Sequence, residues 1–280
     1  MSQRQEPGTD GGRGAGYLVV RTFGELLVTA GIVVLLFVFY ALYVTNWTSA
    51  QLQSESDEAL TERWQEDPGP GQGTSVLPGE AFARIYIPAL GEDYRYTIQS
   101  GVDADALEIG PGHYPQTAQP GEPGNFAVAG HRNGQGAPFN ALDELVSCDA
   151  MVIETDRDFF VYRVLPLADE VGDWDVVRDG RPECAGVPSL RSVGDNEPYG
   201  DTIGRKIVTP DRADAVAPVP YRPQDTLSRI DQAALITLTT CHPQFSDRER
   251  LIIHGVLTQQ IPKNQVNGDY HRLLDHIGEA

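Results

Sequence analysis

Residues 26–44, LLVTAGIVVLLFVFYALYV, run for nineteen positions without a charged side chain. As an α-helix such a run covers about 28 Å, which matches the hydrocarbon core of a bilayer. A cleaved signal peptide would carry a shorter apolar stretch with a small-residue cleavage site behind it, whereas this run passes into Asn46, Trp47 and a polar, acidic segment. The sequence therefore predicts an uncleaved transmembrane helix over 24–46. Arg4, Arg13 and Arg21 precede it, and the first basic residue beyond it is Arg63. By the positive-inside bias a tail, 1–23, is cytoplasmic and the rest of the chain lies outside, which makes the protein a single-pass component of the cell membrane. Tyr40, Tyr43 and Trp47 suit the outer interface, where amphipathic rings settle.

That location bears on the cysteines, because thiols outside the cytoplasm tend to be captured as disulfides. There are three, Cys148, Cys184 and Cys241, so one is left over. Cys148 and Cys184 both lie in polar, loop-like surroundings and are the preferred pair, although spacing alone does not fix connectivity. Cys241 is then the free thiol.

The run 234–240 alternates and is rich in β-branched residues, and 251–257 does the same after a polar connection. Both read as half-buried strands, and Pro243, Ser246 and Asp247 are turn formers that let the chain fold back into an antiparallel pair. Cys241 ends the first strand and Arg250 opens the second. A free cysteine is often only a small buried hydrophobe, but an unpaired extracellular thiol at a strand end is the stronger case for a nucleophile.

A nucleophilic thiol needs a proton partner and something to hold the developing oxyanion. Of the six histidines, His271 and His276 fall in a polar C-terminal stretch and read as solvated. His242, next to Cys241 on a strand, points to the other face. His254 lies inside the second strand and reads as an interior or surface histidine. His131 ends the short apolar strand 125–130 just before Asn133-Gly134-Gln135-Gly136, a placement like that of Cys241, whereas His113 sits in a Gly/Pro loop with no strand behind it. His131 is preferred over His113.

The TLTTC at 237–241, the RLIIHG at 250–255, the AVAGHR at 127–132 and the PGHYP at 111–115 together resemble a sortase, the membrane-anchored cysteine transpeptidases of Gram-positive bacteria. The class E sortases of actinobacteria are the most similar group, and the likeness covers roughly 80–257. The resemblance implies a sortase-like eight-stranded β-barrel with short helices, with Cys241 as nucleophile, His131 as acid/base and Arg250 as the cation beside the oxyanion. Arg248 is the rival arginine, sharing a face with Arg250 in an extended segment. Tyr114 matches a class E tyrosine associated with alanine at the second position of the sorting signal, and Thr240 is carried over as a substrate-binding residue. The implied substrates are secreted proteins with a C-terminal LAxTG- or LPxTG-like sorting signal, cleaved between Thr and Gly, and the implied acceptor is a peptidoglycan precursor amine.

The remaining segments fit that plan. Residues 47–79 read as an extracellular linker with helical character at 54–64 and a Pro/Gly-rich stretch, DPGPGQG, at 67–73. Short strand-like runs at 83–87, 94–99, 125–129, 151–155 and 159–165 join the two already described in one mainly antiparallel catalytic barrel over 80–260, with helical pieces at 103–109 and 139–145. Residues 261–280 read as a tail. The polar, Gly/Pro-rich insertion 169–200 is either a solvated loop or a lid held by a Cys148–Cys184 bridge.

The net charge of −19 argues against nucleic acid as a partner and against broad attraction to anionic lipid. No cofactor or metal is expected: the acidic stretch at 169–175 lacks regular calcium-ligand spacing, and no Cys/His pair has zinc-site spacing. Two other readings stay open. One is a different cysteine hydrolase or cross-linker, although Thr240 stands where an SHGC motif would have glycine; the other is a non-catalytic extracellular binding module.

Overall fold

The computed structural model describes residues 12–40, 45–66, 77–190, 198–222 and 227–279. The expectations for residues 1–11, for Tyr43, for the Pro/Gly-rich 67–73 and for 191–197 of the insertion lie outside the described residues, as does the side chain of Trp47. The chain divides into two units, Met1–Thr45 and Asn46–Ala280.

The first unit is a helix, α1 (Gly12–Phe39). Its stretch Gly16–Phe39 has a mean hydropathy of 2.3 and is long and apolar enough to cross a membrane. The helix begins well before the predicted position 24. Tyr17-Leu18-Val19-Val20 extends the apolar run, and Arg21 is paired one turn on with Glu25 at 2.9 Å, which eases both charges onto one helix face.

The second unit is a β-barrel. Its strands are β1 (Ala81–Tyr86), β2 (Arg95–Ser100), β3 (Gly112–His113), β4 (Gly124–Ala129), β5 (Ala150–Glu154), β6 (Asp158–Val164), β7 (Arg205–Val208), β8 (Ala234–His242) and β9 (Glu249–Pro262). They run in the order β6-β5-β1-β2-β3-β4-β8-β9, and β6 pairs again with β9, which closes a ring of eight. The closure depends on the length of β9, whose 14 residues reach past β8 to pair with β6 from Gly255 to Pro262. The short β7 lies beside the first half of β9. Inside the ring, alternate residues such as Ile85, Ile98, Phe126, Val128, Ile236, Leu238, Leu251 and Ile253 form a fully enclosed core.

The barrel is mainly antiparallel, as expected, but not wholly so, because β2–β3 and β4–β8 are parallel pairs. The second of these positions the site. With β4 and β8 pointing the same way, their C-terminal ends emerge at the same rim.

Three other segments differ from the sequence expectation. The predicted linker is in large part a helix, α2 (Thr45–Glu66), docked on the barrel. Leu60 is fully enclosed, the Gln53 amide donates to the Ile109 carbonyl at 2.8 Å and accepts from Thr97 N at 2.9 Å, and Arg84 pairs with Asp57. Gly110 leaves room for this contact, since a Cβ there would sit 1.9 Å from Gln53 Nε2 and displace the amide. The C-terminal stretch is likewise packed. Its helix, α5 (Tyr270–Ile277), is capped by Asp269 and buries Leu273 and Ile277 against Val152, Phe159 and Ile261. Of the two expected helices, α3 (Ala104–Ile109) forms, while 139–145 contains only a 3-10 turn, Leu142–Glu144.

Cys148 and Cys184 are joined by a disulfide. Around it the described part of the insertion, with α4 (Trp174–Asp179), builds a small core in which Trp174, Val187 and Tyr199 pack on Leu165 and Leu235 of the barrel. The indole of Trp174 donates to the Val187 carbonyl at 3.0 Å. This packed core, rather than loop composition, keeps the polar segment in place.

Candidate active site

On β8 the residues Ile236, Leu238 and Thr240 face the core, so Leu235, Thr237, Thr239 and Cys241 face outward. The same parity holds on β4, and Ala129 lies beside Thr239 in register. On β9, Arg250 is the direct cross-strand partner of Cys241. Directly opposed residues project their side chains to the same face about 5 Å apart, so the thiol and the guanidinium share one side of the sheet. Arg248 lies before β9 begins, and its Nε donates to Ser246 Oγ at 3.3 Å.

Past Ala129 the chain keeps its place beside β8 for two more residues. Gly130 N donates to the Thr239 carbonyl at 3.0 Å, and Thr240 Oγ1 donates to the Gly130 carbonyl at 2.8 Å. Only glycine fits at 130, because a Cβ would stand 2.5 Å from the ring of Phe139, whose own N–H binds the His131 carbonyl at 3.0 Å. His131 is thus delivered to the rim where β8 ends, and it lines an open cleft together with Cys241, Asn133, Phe245, Ser246 and Asp247. Cys241 is the free cysteine among the described residues and is half-buried. Burial lowers the pKa of His131 below the usual imidazole value, with a hydrogen bond to Gln135 opposing in part.

The Arg250 guanidinium is tethered through Nη1, which donates to the carbonyls of Asp247 at 2.8 Å and Glu249 at 3.0 Å. Tyr114 reaches the same outer face, its hydroxyl 3.1 Å from Thr239 Oγ1, two residues along from Cys241. Thr240, carried over as substrate-binding, is instead 3% exposed and turned into the barrel, bonded to Gly130. The threonine on the cleft face is Thr239. Strand parity was the signal that separates them, and it was available in the TLTTC alternation.

Arg132 was not singled out from sequence. It is 3% exposed; its Nη1 donates to His242 Nδ1 at 2.7 Å and to the Cys241 carbonyl at 3.4 Å, and its Nη2 pairs with Asp143 at 2.8 Å. One guanidinium therefore ties the residue after His131 to the strand end carrying Cys241. His113, by contrast, is buried between Phe82 and Phe126, with Nε2 within 3.1 Å of the Ala118 carbonyl and 3.0 Å of Thr117 Oγ1. His254 is enclosed as well, and neither histidine lines the cleft.

The barrel thus brings a free thiol, an imidazole and an arginine to one rim, a set whose chemistry suits nucleophilic acyl transfer, and comparison with known proteins gives the family. The sortase domain profile matches residues 85–258. The chain belongs to the sortase family, whose members are cysteine transpeptidases. It is similar to the sortases SrtE1 and SrtE2 of Streptomyces coelicolor, at 28% identity over 91% and 96% of this chain. It spans 62% of the length of the first and 94% of the second. Among solved structures, the SrtF sortase from Corynebacterium diphtheriae is 38% identical, with a TM-score of 0.61 over 74% of this chain and 98% of that one.

Proposed function

We propose that this protein is a membrane-anchored transpeptidase in which Cys241 is the nucleophile, His131 the general acid and base, and Arg250 the oxyanion cation. The observation that carries this reading is the register that sets Arg250 opposite Cys241, with His131 entering the same rim from β4. His131 takes the thiol proton, and the Cys241 thiolate attacks the carbonyl of the scissile bond. Arg250 stabilises the charge that grows on the carbonyl oxygen, a role suited to a permanently charged fork of donors. Because burial disfavours its charged form, the His131 imidazolium is a good acid toward the departing amine. The C–N bond breaks, and a thioester on Cys241 remains. An acceptor amine then attacks, gives its proton to His131, and expels the thiolate as the new amide forms.

The resemblance of TLTTC, AVAGHR and PGHYP to class E sortases supports a secreted protein ending in an LAxTG- or LPxTG-like signal as acyl donor, and a peptidoglycan precursor amine as acceptor. Helix α1 supports a single-pass anchor with the barrel on the outer side. Confining enzyme, tethered substrate and lipid-linked acceptor to one plane raises their effective concentration.

Incubating the full chain in detergent with a fluorescent LAxTG peptide and an amine acceptor tests the assignment. Wild type is expected to form both the thioester and the transfer product, and Cys241→Ala neither, a loss of at least about 10³-fold. Product from the variant, or none from wild type across a panel of sorting peptides, overturns the reading.

A further inference from the structure

The cleft at Cys241 has two sides. Toward Thr239 lie Tyr114 and the outward residues of β8, while beyond Cys241 lie the β8–β9 loop and Asn133. Two features of that loop are not used by the chemistry above. Phe245 is 88% exposed although it is a phenylalanine on the wall of the cleft, and it is held there with φ of 62°. Left-handed backbone is costly for a bulky side chain, and such conformations gather at ligand-contacting positions. Next to it, the Asp247 carboxylate also lines the cleft and is exposed. Among the described residues it has no ion-pair partner, since the neighbouring Arg248 is turned to Ser246 and Arg250 uses the Asp247 carbonyl rather than its carboxylate. The guanidiniums nearby are engaged elsewhere, Arg132 with Asp143 and Arg250 with backbone carbonyls, so this carboxylate on the cleft wall stays open to a cation that enters the cleft.

We propose that Phe245 and Asp247 form the entry site for the second substrate, an acceptor bearing a primary ammonium, with Asp247 drawing in the charge and the ring of Phe245 supplying a cation–π face. This deepens the transpeptidase reading and rests on it. By microscopic reversibility the incoming amine occupies the position vacated by the departing one, which places it on the side of Cys241 opposite the acyl chain. The ammonium sheds one proton to solvent on reaching the cleft. As its nitrogen bonds to the thioester carbon, the second proton passes to His131, and the C–S electron pair returns to Cys241. A carboxylate and an aromatic face at an exposed site each contribute a small factor, and together they favour a charged acceptor over water without blocking release of the amide.

The test measures partition of the acyl-enzyme in the full chain in detergent, with triglycine amide as the charged acceptor and hydroxylamine as one that is largely uncharged at neutral pH. For Asp247→Asn and Phe245→Ala, the KM for triglycine amide is expected to rise about threefold to fivefold each, with hydrolysed product increasing at the expense of transferred product and the KM for hydroxylamine rising less. In wild type the triglycine amide KM is expected to increase with ionic strength. Unchanged triglycine amide KM in both variants, or equal rises for the two acceptors, overturns the proposal while the transpeptidase reading stands. Absence of any acyl-enzyme from wild type overturns both.

Discussion

Two histidines stand on the same outward face of this barrel, each beside a threonine-bearing stretch of β8, and they live in opposite circumstances. At the rim, His131 shares an open cleft with Cys241. Four residues back along β8, His254 is sealed beneath the segment 213–221 in a chain of hydrogen bonds with one consistent direction. Asn125 Nδ2 donates to the carbonyl of Ala217 at 3.1 Å, and Thr237 Oγ1 donates to Asn125 Oδ1 at 2.7 Å. Thr237 therefore accepts from His254 Nδ1–H at 2.8 Å, and His254 Nε2 accepts from the Tyr221 hydroxyl at 2.9 Å. Ala215, Tyr221 and Ile252 close the cover. The two sites differ in what lies above them rather than in residue type. A covered, fully bonded histidine locks a segment down, whereas a half-buried one that lines an open cleft can move protons.

Exchanging the losses is the sharpest way to break the comparison. His131→Asn is expected to cut transpeptidation by about 10²-fold to 10⁴-fold with little change in melting temperature. His254→Asn should do the reverse, removing the acceptor of the Tyr221 hydroxyl and the donor to Thr237 and costing about 1–3 kcal/mol of stability. Peptide kinetics and thermal unfolding on the same two preparations decide it, and a catalytic loss as large at 254 as at 131 would end the distinction.

Arg132 tests whether the rim depends on its clasp. Arg132→Met removes the donors to His242, the Cys241 carbonyl and Asp143, and is expected to cost about 1–3 kcal/mol. It should also lower kcat more than it raises KM, because the reacting groups lose their alignment rather than their substrate contacts. Arg132→Lys should recover part of the stability and less of kcat.

Acid titration compares the two histidines directly. Burial, with a smaller contribution from the Lys206 charge, pushes the pKa of His254 down to about 3 from 6.5. The unfolded chain takes up a proton near 6.5 while the folded one does not, so this stability is present above that pH and is lost as the pH falls toward 3. The slope is up to about 1.4 kcal/mol per pH unit. Denaturant unfolding at several pH values should show a shallower acid limb in His254→Asn than in wild type.

The smallest expected effect is at Tyr114. Tyr114→Phe removes the hydroxyl that meets Thr239, and kcat/KM for LAxTG peptides is expected to fall about twofold to tenfold, with unfolding nearly unchanged. A change in stability without a change in kcat/KM would move Tyr114 from the groove to the scaffold.

Much of this was legible in the chain. Alternation located β8 and β9, turn formers implied their antiparallel pairing, and the odd cysteine count singled out Cys241. Helix α2 was less legible because its buried positions are few, Leu60 chief among them, and its docking rests on polar contacts from Gln53 and Asp57 that leave no apolar stripe. The C-terminal helix was hidden by its short length and by the polar residues around its few apolar positions.

Local pattern alone located the apolar helix and most of the strands and singled out Cys241 as the unpaired cysteine, because periodicity and composition are properties of the chain itself. Tertiary structure alone decided that β4 and β8 run parallel, so that residues 131 and 241 meet at one rim, and that the segment 213–221 covers His254 but stops short of Cys241. Those outcomes depend on pairing between distant strands and on what packs over a face, and neither is written in the spacing of adjacent side chains.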